Sequence, residues 1–73
     1  MVATSPQLQV ELERHIQVRT GRRIRDLSVE LNSDRVVLRG YTATYYLKQL
    51  AQQGVRELLP GVGLDNAIVV DSN

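Results

Sequence analysis

Val36-Val37-Leu38-Arg39-Gly40 sets three bulky aliphatic residues ahead of an arginine and a glycine, between a cluster of turn formers and the chain's most amphipathic stretch. Aliphatic density of this kind favours a central strand, and the remaining segments must then supply what covers it. Alternation places Val36, Leu38 and Gly40 on one face, and Val37, Arg39 and Tyr41 on the other.

Upstream, Leu8, Leu12 and Ile16 recur on one narrow stripe and predict a helix over 6–20. Ser5-Pro6 is suited to start it, because the serine oxygen accepts a free backbone N–H and proline at the first helical position loses nothing. Gly21 is suited to end it in the left-handed conformation. Val10 points away from the stripe. From Ile24 the period falls to two, with Leu27, Val29 and Leu31 alternating against Asp26, Ser28 and Glu30. Asn32-Ser33-Asp34-Arg35 then reads as a hairpin turn into a strand over 36–41.

Thr42 or Thr44 can cap a second helix, in which Leu47, Leu50, Ala51, Gly54, Val55 and Leu58 define the apolar face. Mid-helix glycine costs about 1 kcal/mol relative to alanine. Gly54, one turn after Ala51, therefore marks the expected close crossing with the neighbouring helix. Pro60-Gly61 stops this helix, and a last strand covers 64–70 with Leu64, Ile68 and Val70 inward. Asn66 shares that inward parity and needs hydrogen-bond partners, for which the preceding loop's backbone is within reach. Asp71-Ser72-Asn73 reads as a frayed end.

The element order predicts an α+β fold, a two-layer αββαβ sandwich whose three-stranded mixed sheet carries both helices on one face. A right-handed crossover lays the last strand parallel to the second, giving strand order 1-2-3, with 2-1-3 as the alternative. A chain of 73 residues makes one domain. It has no cysteine, so neither a disulfide framework nor a thiolate metal site is expected. The formal net charge is only +1, yet five of the nine basic residues (Arg14, Arg19, Arg22, Arg23, Arg25) lie between positions 14 and 25. No run approaches the roughly 18 apolar residues of a membrane span, and Met1 to Pro6 lacks the regions of a signal peptide. The sequence is equally compatible with a domain cut from a longer protein.

Val36 to Gly40, a helix containing Ala51, Pro60-Gly61-Val62 and then Leu64-Asp65-Asn66-Ala67-Ile68-Val69-Val70 together resemble the BON domain of bacterial osmotically inducible and nodulation proteins. That family's pattern is a V-x-L-x-G strand, a helix, a G-V turn and a V-x-N-x-L-x-V strand. The chain departs from it at Asp34, where the family usually has a turn glycine, and in a shorter stretch between Val62 and Leu64. The resemblance implies a non-catalytic module of the periplasm or cell envelope that contacts phospholipid surfaces or membrane-associated proteins.

His15 is the sole imidazole, with Glu11 one turn earlier, and the sequence supplies no further metal ligands around it, so it is read as a structural or surface residue. There is no cysteine and no G-x-S-x-G elbow for nucleophilic catalysis. Gly61-Val62-Gly63 lacks the third glycine and the lysine of a phosphate loop, and reads as a helix stop. No enzymatic role and no cofactor is expected. The five arginines are the candidate anion-binding or lipid-binding residues, weighed against a plain solvated face near a helix C-terminus. KH-like RNA binding needs a G-x-x-G loop that this chain lacks, which argues against nucleic acid. Val37, Arg39, Tyr41, Tyr45 and Val69 are candidate interface residues, with Tyr46 expected partly inside. An anionic phospholipid surface or a membrane-associated protein is the leading partner. Protein interaction or weak self-assembly through the open sheet face, with Ala67 beside Val69, is the alternative.

Overall fold

The structure, a computed structural model, describes residues 6–71. Ser5, expected to cap the first helix, and Ser72 and Asn73 of the expected frayed end lie outside them. The elements are α1 (Pro6–Arg19), β1 (Arg25–Leu31), β2 (Arg35–Thr42), α2 (Tyr45–Leu58) and β3 (Gly63–Val70). The strands form one sheet in the order β1-β2-β3, antiparallel on one side of β2 and parallel on the other. This is the expected α+β sandwich with β2 at its centre.

α1 packs over β1, and α2 packs over β3 and part of β2. Leu12 and Ile16 from α1, Ala51 and Val55 from α2, and Val29, Val36, Leu38 and Ile68 from the sheet make the buried core. Asp71 is not frayed, because its N–H donates to the Thr42 carbonyl at 2.7 Å.

Local chemistry sets the ends. The Arg22 N–H donates to the Gln17 carbonyl and the Gly21 N–H to the Val18 carbonyl, a Schellman closure of α1 with Gly21 at φ 64°. Arg22 follows at φ 59°, a second left-handed residue that sequence reading did not single out. Thr44 caps α2 by accepting from the Leu47 N–H at 3.2 Å. The other cap candidate, Thr42, is buried and donates its hydroxyl to the Arg23 carbonyl. Asp34 does not have positive φ, so the hairpin closes without the conformation that a glycine would serve.

Gly40 decides how β1 meets β2. Its φ is 153°, and a Cβ there would lie 2.9 Å from the Arg25 carbonyl oxygen and 3.0 Å from Ile24 Cγ2. Opposite it, β1 breaks register between Arg25 and Ser28, and Asp26 takes φ 54°. This is a β-bulge, an extra residue on one strand that bends it and re-aims its side chains. The simple alternation expected from Ile24 onward therefore holds only from Leu27.

Asn66 points inward as expected, but its partner differs from the one anticipated. Its amide donates to the Lys48 carbonyl of α2 at 3.0 Å, and its oxygen accepts from the Ile68 N–H. Gln9 ties α1 to the sheet in the same manner, donating to the Val29 carbonyl at 2.7 Å. In this register Val29 is a non-hydrogen-bonded pair with Leu38, so its carbonyl points to the outer edge of β1. Gln9 thereby covers one position of an edge strand that would otherwise be open to pairing.

Gly54 sits at the helix crossing, as its sequence setting implied. A Cβ there would meet His15 and Ile16 at 3.5 Å, ordinary contact distances. Alanine therefore fits, and Gly54→Ala is expected to raise stability by up to about 1 kcal/mol in chemical denaturation. Gly54→Leu, with three more heavy atoms than alanine in the same gap, is expected to lower the melting temperature. Gly40→Ala is expected to cost about 2–4 kcal/mol, because its Cβ meets backbone and its φ is unfavourable. Unchanged stability in Gly40→Ala would contradict this account of the bulge.

Candidate functional site

The five candidate arginines do not form one surface. Arg19 turns toward α2, where its Nη2 lies 3.2 Å from Glu57 Oε2 and 3.5 Å from Gln53 Oε1. Arg25 opens β1 and pairs with Asp71 at 3.8 Å on the outer side of the sheet. Arg14, Arg22 and Arg23 are exposed and, among the described residues, form no ion pair.

Two further features accompany these three. Val10, Arg14 and Val18 follow one another at helical spacing on the outward side of α1, with Val18 66% exposed. Val18 and Leu58 also line a shallow groove with Glu11, Arg14 and His15. Leu58 was expected in the core and is instead exposed, because it faces this groove and Leu59, just past the helix end, packs against the core in its place. The spacing of Val10, Arg14 and Val18 was readable from sequence. The contribution of Leu58 was not, since it depends on how the helices cross.

His15 pairs with a residue of the other helix and not with its neighbour Glu11. Its Nε2 lies 2.7 Å from Glu57 Oε1 of α2, a residue 42 positions away. Hydrogen bonding from His15 holds the Glu57 carboxyl below its ordinary range against an opposing effect of desolvation, and the charges of Arg19 and His15 add to the lowering. His15 and Arg19 thus grip one carboxylate from successive turns of α1. The pairing of 15 with 57 and of 19 with 53 shows that the helices run antiparallel. α1 ends at Arg19, leaving nothing to cover the first turn of α2. Tyr46 is accordingly 67% exposed and not partly inside as expected.

The candidate interface residues divide into two groups and one exception. Arg39, Tyr41 and Val69 come together on the outer sheet face, where Tyr41 is the register partner of Val69 and Arg39 of Ala67. With Asp26 and Gly40 they line a cleft of about 230 Å³. Tyr45 lies elsewhere, among Lys48, Gln52 and Arg56 on the solvent side of α2. Val37 is the exception: it belongs to the outer face but is only 9% exposed. Its row partners are Glu30 and Asp65, and Glu30 reaches across to bond Arg39 at 3.0 Å, so Val37 offers little surface to a partner.

Charge follows the layers. The helices and the turn after α1 carry Arg14, Arg19, Arg22, Arg23, Lys48 and Arg56 against three carboxylates, Glu11, Glu13 and Glu57. The outer sheet face carries Arg25, Arg35 and Arg39 against Asp26, Glu30, Asp65 and Asp71. A net charge near zero thus conceals a basic side and a slightly acidic one. Among the described residues, no helix is long and apolar enough to cross a membrane. Compared with known proteins, the chain matches no family model, no curated protein and no solved structure.

The lowered pKa of Glu57 has a defined pH consequence. A carboxyl whose folded pKa lies below its unfolded value contributes stability above the ordinary glutamate range and loses it as pH falls through the folded value. Glu57 is exposed, so the effect is small. Wild type is expected to melt above Glu57→Gln near neutral pH, with the difference shrinking as pH is taken down to about 3. Parallel thermal melts check this. A gap that widens on acidification would be inconsistent with the described pairing.

Proposed function

We propose that this chain is a non-catalytic, BON-like binding module that docks an anionic phospholipid surface through the outward side of α1 and the turn that follows it. The observation that carries the reading is the coincidence of Arg14, Arg22 and Arg23, which form no ion pair among the described residues, with exposed Val10 and Val18. Arginine stems lie along apolar surface while their heads reach phosphate, so this mixture suits the membrane boundary better than either component alone. Leu58 and the groove beside Arg14 extend the apolar area. Arg19, held by Glu57, contributes less to this surface, and Arg25 belongs to the other layer. The BON resemblance, carried by the chain's own motifs, points to the same class of ligand.

Each basic residue close to an anionic membrane contributes about 1 kcal/mol, which screening by salt reduces. The chain is expected to co-sediment with vesicles containing phosphatidylserine at low salt, less so at high salt, and not with purely zwitterionic vesicles. Replacing Arg14, Arg22 and Arg23 by alanine is expected to lower partitioning on the order of a hundredfold. The Arg19→Ala variant loses a residue already engaged with Glu57 and is expected to fall much less. No binding by wild type under any of these conditions would overturn the lipid reading.

A further inference from the structure

The cleft on the outer sheet face is unlike the helix side in chemistry as well as position. Its walls are Tyr41, 45% exposed, and Val69, 51% exposed, with Arg39 and Ala67 alongside. The bulge sets Asp26 at its rim, with φ 54°. The neighbouring arginines are already matched: Arg39 is bonded to Glu30 and Arg25 is paired with Asp71. Among the described residues Asp26 forms no ion pair, so its carboxylate is the cleft's uncompensated charge. An aromatic face, an aliphatic wall and a free carboxylate together suit a guanidinium on an apolar stem.

We propose that this cleft receives an arginine side chain from a separate partner protein. The planar guanidinium stacks on the Tyr41 ring and donates to the Asp26 carboxylate, while its methylenes lie against Val69. Lysine is less suited, because a compact ammonium has neither a planar face to stack on the ring nor a fork of donors in that plane for the carboxylate. The site is independent of the α1 surface, so the chain can hold an anionic surface on its helix side and a basic protein segment on its sheet side.

Amide NMR spectra of the full chain titrated with N-acetyl-arginine methylamide test the assignment, with the neutral citrulline analogue as the control. Saturable shifts are expected at Asp26, Tyr41 and Val69 with the arginine compound and much weaker ones with citrulline. Asp26→Asn keeps a residue that tolerates the left-handed backbone, and is expected to weaken arginine binding about three- to fivefold while leaving the citrulline titration unchanged. Equal affinity for both compounds, shifts confined to other regions, or no saturable shift would overturn the proposal. The same amides moving with protein concentration alone would assign the cleft to an arginine of a second copy, and overturn the separate partner.

Discussion

The approach of the β1 backbone to Gly40 governs the arrangement of the sheet. A carbonyl oxygen within 2.9 Å of where a Cβ would stand leaves room for glycine only. Because the side chain is missing, β1 can bulge across β2, and Ile24 can pack into the core immediately before the bulge. The same bulge turns Asp26 onto the opposite face of the sheet. One absent side chain therefore serves both layers, closing the core on one side and shaping the rim of the outer cleft on the other.

The helix layer depends on a comparable economy. Gly54 brings α2 against His15 and Ile16, and Glu57 then reaches both His15 and Arg19. The crossing is antiparallel, so the two helices overlap only over part of their lengths. Where they overlap, Leu12, Ile16, Ala51 and Val55 disappear into the core. Beyond α1's end Tyr46 emerges, and near the end of α2 Leu58 opens into a groove with Val18 and Arg14. The exposure of Tyr46 is thus a consequence of where α1 stops, and that of Leu58 of how the two helices cross.

Taken together, the layers separate two kinds of chemistry. Exposed valines share α1 with Arg14, which like Arg22 and Arg23 in the turn after it forms no ion pair among the described residues, whereas the outer sheet face holds paired arginines, an exposed tyrosine and Asp26, which is in no ion pair there. Electrostatics over distances beyond about 8 Å are screened at physiological salt, so the overall charge matters less than which side a charge occupies. A chain of this size has two chemically different surfaces because its sheet is covered on one face only.

The sequence by itself determined the number, type and order of the elements, the parallel crossover through α2, the Gly54 crossing and most of the core, because apolar period and turn chemistry are local properties that tertiary packing here reinforces. It also marked five arginines as a group. Only the tertiary structure decided which of them are free, since Glu57 and Asp71 come from distant parts of the chain. Likewise, periodicity assigned Leu58 and Tyr46 to the inside, and Val37 to an open surface. Burial depends on what stands opposite: the helix crossing settled Leu58, the length of α1 settled Tyr46, and the reach of the Glu30–Arg39 pair settled Val37. Val36 to Gly40 announced the central strand, but the meaning of Gly40 became visible only with β1 passing over it, a contact between backbones that no side-chain pattern records.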